Sequence, residues 1–271
     1  MGLTGIAKET LKIIEAGHYL APSGKQITLR EEIDRAISRT VLYRPDDVAH
    51  LELPRLPGRA RIEVTPETTG AASRRLCEEG ARVLALNFAS AKNAGGGFLR
   101  GAKAQEEDLA RCSALYSCQL TQRGYYEANR AEPSLLYTDH QIYSPEVPFF
   151  RDERLELLEK PFFASVITSP APNAGEVLAR NPGAGEAVRE VLERRARQVL
   201  AVAAKHGHRA LVLGAWGCGV FRNDPVEVAE VFAAALEESG GTFERVVFAV
   251  YHRGGDGPNL QAFRNRFTEA S

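Results

Sequence analysis

The sequence predicts a three-layer α/β fold: a mixed, mostly parallel central sheet between helical layers, with helical and hairpin decoration at the N-terminus. Four short apolar runs, 83–88, 162–168, 210–213 and 246–250, alternate with helix-compatible stretches. That pattern belongs to strands buried on both faces. Two of the runs lead straight into glycine-rich turns followed by helices, the strand–turn–helix order of α/β proteins. No internal repeat, low-complexity tract or clear linker divides the 271 residues. We expect residues 1–60 to form an accessory segment packed on the same domain and residues 61–271 to form the domain proper.

Residues 2–16 read as an amphipathic helix and residues 18–29 as a hairpin around Pro22–Gly24. Glu31–Arg39 reads as a short helix, and the proline-rich stretch Val41–Pro57 as an irregular connection. Arg61–Val64 is a strand. Thr68 or Thr69 can cap a helix that Gly80 ends. Val83–Phe88 is a strand, and Ala104–Leu120 a helix. Thr121–Pro133 is polar and reads as a loop, 135–137 and 141–143 as strand pieces, and Ser144–Pro148 as a turn. Phe162–Thr168 is a strand and Gly185–His206 a long helix whose arginines form a solvated face. Ala210–Leu213 is a strand, Asp224-Pro225 opens a helix, Val246–Val250 is a buried strand and Pro258–Phe267 is helical.

Composition removes several function classes. A net charge of −1 gives no global field to draw in DNA, RNA or anionic membrane. No run of about eighteen apolar residues offers a membrane span, and the charged N-terminus lacks a signal-peptide core. The four cysteines, 77, 112, 118 and 218, form no Cys-x-x-Cys pair and read as reduced, structural and cytoplasmic. We expect a monomer with no metal site and no cofactor. His140, His206, His208 and His252 lack metal-ligand spacing and read as surface or core residues.

The chemistry gathers at the first turn, Asn93-Ala94-Gly95-Gly96-Gly97, followed after seven residues by Gln105-Glu106-Glu107. Three glycines let another molecule approach the backbone and leave N–H groups for an anion. Two acids beside such a site are not what phosphate binding alone requires. In an arbitrary first helical turn they would only complement the dipole. The second turn, Gly217-Cys218-Gly219-Val220-Phe221, also precedes a helix. Together the two turns suit a diphosphate beyond the carboxyl ends of the strands. Neither the Walker loop nor the dinucleotide fingerprint fits: Gly101-Ala102-Lys103-Ala104 breaks the first, and no third glycine completes the second.

The triple glycine, the Gln-Glu-Glu at this spacing, Asn93-Ala94 and Gly214–Phe221 resemble the bacterial-type poly(ADP-ribose) glycohydrolases, built on the ADP-ribose-binding macrodomain fold. The resemblance spans roughly residues 60–255. It implies hydrolysis of ribose–ribose O-glycosidic bonds in poly(ADP-ribose), on ADP-ribosylated proteins, with ADP-ribose as product. Neighbouring acids lie about 100° apart on a helix, so they cannot flank the bond symmetrically, and one carboxylate must act as acid and then as base. The match assigns that role to Glu107. It implies that Glu106 positions the leaving ribose, that Gln105 supports the turn and that Asn93 holds the terminal ribose hydroxyls. Gly95, Gly96 and Gly97, with Gly217, Cys218, Gly219 and Val220, would donate to the diphosphate. Phe221 would pack on the terminal ribose.

An adenine-stacking aromatic is expected among Tyr251, Phe263 and Phe150, and Trp216 either lines the site or packs in the core. The segment 254–266 is expected to cap one end of the substrate. The competing readings are an ADP-ribose reader, a hydrolase of single protein-linked ADP-ribose units, and an unrelated nucleotide-processing enzyme. The reader gains nothing from two acids beside a diphosphate.

Overall fold

The computed structural model describes residues 2–268. Helix α1 (Leu3–Ala16) ends at Gly17, whose φ of 71° lets its N–H reach back to the Ile13 carbonyl. A hairpin follows, β1 (His18–Leu20) and β2 (Gln26–Thr28), then α2 (Arg30–Ser38), β3 (Val41–Tyr43), α3 (Pro45–Ala49) and β4 (Arg61–Thr65). Helix α4 (Thr69–Glu78) is capped by the Thr68 hydroxyl, which accepts from the Ala71 N–H. Strand β5 (Val83–Phe88) leads through a single 3₁₀ turn (Phe98–Arg100) to α5 (Gln105–Cys112), α6 (Leu115–Leu120) and α7 (Arg123–Ala131). Then come β6 (Gln141–Arg151), β7 (Leu157–Ser169), α8 (Ala174–Arg180), α9 (Gly185–Lys205) and β8 (Ala210–Leu213). Helix α10 (Pro225–Ser239), capped by Asp224, β9 (Arg245–Ala249) and α11 (Pro258–Thr268) complete the chain.

Seven strands form the main sheet in the order β3-β6-β7-β5-β8-β9-β4. From β7 to β4 all pairs are parallel, and β6 and β3 add antiparallel pairs at one edge. Side chains alternate across the central strand: Leu84 and Leu86 enter the core beneath α9 and α10. Val83 and Ala85 enter the core formed with α1, α2, α4 and α5. The N-terminal segment does more than pack on this sheet, because β3 is one of its edge strands.

Five local expectations are corrected. The helix expected over 104–120 breaks at Ser113, which is extended and bridges to Phe149. Its hydroxyl donates to the Leu109 carbonyl and accepts from the Leu115 N–H, a side chain competing with the helical ladder. The polar stretch 121–133 holds α7, which buries Tyr125, Tyr126 and Asn129. The turn expected at 144–148 lies inside β6. Its prolines are tolerated because β3 covers only residues 141–143, and a register shift with Glu146 at φ 45° absorbs the irregularity. Residues 135–137 form no strand, and the 41–57 connection contains β3 and α3.

Candidate active site

β5 and β8 are neighbours, so the turns that follow them share one end of the sheet. In the first turn every glycine N–H is donated within the chain. Gly95 donates to the Gln119 side-chain oxygen at 2.8 Å. Gly96 donates to the Asn93 carbonyl at 3.1 Å, and Gly97 to Glu107 Oε1 at 2.8 Å. Gly95 and Gly96 have φ of 61° and 57°, the left-handed region that favours glycine. A methyl group on Gly95 would overlap the Phe98 and Tyr116 rings, and one on Gly96 would overlap the Glu107 and Glu106 carboxylates. The expectation that these glycines lie open, with free N–H groups, therefore differs from the structure: the turn closes over its own glutamates.

Glu106 is only 3% exposed. Its Oε1 accepts from the amides of Asn87 (3.0 Å) and Gln119 (2.9 Å), and its Oε2 from the Ser90 N–H at 2.7 Å. Burial nevertheless pushes this carboxyl up to about 7 against the pull of those donors. Glu107, 9% exposed, lies against Gly97. Gln105 staples the start of α5 to the sheet: it accepts from the Phe88 N–H and donates to the Leu86 carbonyl and Thr69 hydroxyl.

The second turn is built differently. Gly217 is at φ 73°, and a methyl group there would overlap Asn223 and Ala171. The Asn223 amide donates to the carbonyls of Pro172 and Gly217. Around Gly219 there is open space, and among the described residues no acceptor takes the N–H groups of Gly219, Val220 or Phe221. Val220 is 84% exposed. Burial raises the Cys218 thiol to about 12, so this residue offers its backbone rather than a thiolate.

Arg195 anchors the turn from behind. It lies on the α9 face expected to be solvated, yet it is completely buried, whereas Arg189, Arg194 and Arg197 are exposed. Its guanidinium pairs with Asp139 at 2.7 Å and donates to the carbonyls of Leu136, Tyr137 and Pro170. This holds Tyr137 at φ 61° with its ring 5.9 Å from Phe221. Phe221 in turn accepts from the Gly175 N–H at 2.9 Å.

A cavity of about 950 Å³ joins the two turns. Asn93, Gly96, Gly97, Gln105, Glu106 and Glu107 meet Gly217, Gly219, Val220 and Phe221 on its wall, while Gly95 and Cys218 stand behind it. Of the three aromatics considered for adenine, Phe150 and Phe263 are core residues, and Tyr251 is 60% exposed on the cavity wall. Trp216 is buried, with its indole N–H donated to the Ser169 carbonyl. His206 and His208 form a network with Tyr43 and Tyr143 at the opposite end of β8. Among the described residues no group of three or more His, Cys, Asp or Glu could hold a metal ion, and no helix is long and apolar enough to cross a membrane. Sequence reasoning missed Asn87, Ser90 and Gln119 as partners of the glutamates. Asn87, polar within an apolar strand, was the one visible signal.

Fold and site define a macrodomain-like α/β protein with paired carboxylates beside an open glycine turn. The family model described as "Microbial-type PARG, catalytic domain" (poly(ADP-ribose) glycohydrolase) matches residues 7–152. The chain is 47% identical to the crystal structure of poly(ADP-ribose) glycohydrolase from Thermomonospora curvata, with a TM-score of 0.92, covering 98% of this chain and 99% of that one. The same enzyme bound to the inhibitor ADP-HPD matches at 48% identity, TM-score 0.91 and the same coverage. The Deinococcus radiodurans enzyme in complex with ADP-ribose matches at 47% identity and TM-score 0.83, covering 88% of this chain and 97% of that one. No curated protein matches. The chain belongs to the microbial-type poly(ADP-ribose) glycohydrolase family.

Proposed function

We propose that the protein hydrolyses the ribose–ribose O-glycosidic bonds of poly(ADP-ribose) and releases ADP-ribose. The observation that carries this reading is the pair Glu106 and Glu107, packed under one glycine turn and facing a second with unengaged N–H groups. The diphosphate of the terminal unit would sit on the N–H groups of Gly219, Val220 and Phe221. Asn93 would hold the terminal ribose, Phe221, backed by Tyr137, would pack on it, and Tyr251 would stack on adenine.

Glu107 transfers its proton to the leaving ribose hydroxyl as the glycosidic C–O bond breaks. The cationic sugar is stabilised by the nearby diphosphate. Glu107, now a carboxylate, removes a proton from the water that adds to the same carbon. Glu106, held by three donors, accepts a hydroxyl of the leaving ribose on the oxygen bonded only to Ser90.

The test is release of ADP-ribose from polymer. Glu107→Gln is expected to lower kcat by about 10³-fold while leaving ADP-ribose affinity within about threefold. Full activity in that variant overturns the mechanism, and tight ADP-ribose binding without wild-type hydrolysis would leave a reader. We also read the 252–257 loop as a cap that decides whether only chain ends are cut. Deleting α11 would not test this cleanly, because Leu260 and Phe263 are core residues. Replacing Arg253 and Asp256 by alanine and sizing the products does, and unchanged product lengths would remove the idea. The four free thiols suit a reducing compartment, and the reading requires only a monomer.

A further inference from the structure

The cavity does not end at the glutamates. Helix α5 sends Gln105, Asp108, Leu109 and Cys112, spaced i, i+3, i+4 and i+7, into its wall as one stripe. The same wall carries Arg74 of α4, Phe162 of β7 and Arg154 at the tip of the β6–β7 hairpin. This second compartment has an apolar floor of Leu109, Cys112 and Phe162, all nearly buried. Arg151 lies in its wall at 4% exposure, bonded to Glu9 and the Leu155 carbonyl, and its Nε has no acceptor. At the rim, Arg154 makes no ion pair among the described residues, and Arg74 pairs only with the exposed Glu78. Two of the three rim carboxylates are already engaged: Asp108 with Arg111, and Asp152 with the N–H groups of Arg154 and Glu156.

An apolar floor beside cations fits an adenine ring joined to a diphosphate. Helix α5 runs along the cavity, with the glutamates at its start and Asp108, Leu109 and Cys112 further along. A polymer cut at Glu107 has one ADP-ribose on the side of the second glycine turn and the rest of the chain on the other. We infer that the compartment between α4, α5 and the β6–β7 hairpin is the subsite for the leaving chain, taking its adenosine diphosphate portion with Arg74 and Arg154 at the phosphates. This rests on the glycohydrolase reading above.

The experiment uses the full chain with the double variant R74E/R154E, whose side chains lie at the surface. KM is measured for polymer several units long and for ADP-ribose carrying only a nitrophenyl leaving group. The expected result is a KM for polymer raised about tenfold, with unchanged kcat, an unchanged KM for the nitrophenyl compound and unchanged ADP-ribose affinity. An unchanged KM for polymer, or an equal rise for both substrates, overturns the inference. A free nucleotide could share this chemistry, so binding of ADP is measured with the first site saturated by ADP-ribose. One equivalent of ADP bound under these conditions, lost in the variant while KM for polymer stays constant, would make the compartment an effector site and overturn the leaving-chain assignment. No wild-type hydrolysis of polymer would instead reject the parent reading.

Discussion

The two glycine turns have similar sequences and opposite constructions. At 95–97 the missing side chains make room for the protein's own glutamates and rings, and every N–H is turned inward. At 217–221 the first glycine packs against the protein, while Gly219 borders open space beside N–H groups without acceptors. A glycine-rich turn is therefore not in itself a ligand site. What separates the two cases is whether the volume of the absent Cβ is filled by the chain or left empty.

Arg195→Met is expected to break the contrast most severely. It leaves Asp139 without its buried partner and three carbonyls without a donor, at about 3–5 kcal/mol of stability. Denaturant titration should show that loss. In folded protein, ADP-ribose affinity should fall as well, because the same clamp backs Phe221. Gly96→Ala should damage chemistry more than binding. Displacing both carboxylates lowers kcat by about 10²- to 10³-fold, with ADP-ribose affinity nearly intact by calorimetry.

The pH dependence of the first turn sharpens the comparison further. Glu106 ionises near 4.5 when unfolded and at about 7 when folded. Its contribution is fully present below the lower value and lost as pH rises through the higher one. The stability of Glu106→Gln relative to wild type should therefore increase by about 2 kcal/mol between pH 5 and pH 8. A flat difference would contradict the burial-driven shift. Gly219→Ala should do the reverse of Gly96→Ala, with stability unchanged and ADP-ribose affinity reduced about tenfold, since a methyl group there meets only the ligand.

Much of this arrangement was legible from residue order. The apolar strands, a cap at Thr68 or Thr69, a helix opening at Asp224-Pro225, and two turns at strand ends all follow from local pattern. The break at Ser113 was not, because a serine hydroxyl and a bridge to Phe149 replace the usual glycine or proline signal. That break lets Gln119 return to Gly95 and Glu106, a partnership that one continuous helix would not suggest. Helix α7 was hidden because its inner face is two tyrosines and an asparagine rather than aliphatic residues. Arg195 was hidden because an arginine among exposed arginines carries no mark of burial. Its acceptors lie on segments 136–139 and 170, far away in sequence.

The strand order has a consequence for how the chain reaches this state. Residues 61–65 pair with 245–249, and 41–43 with 141–143. Both sheet edges thus wait for partners made much later, and such distant pairings slow folding. During synthesis the strand Arg61–Thr65 emerges long before its neighbour β9, and the first glycine turn exists before the second. A nascent chain stopped short of residue 245 would carry both glutamates on an unfinished sheet.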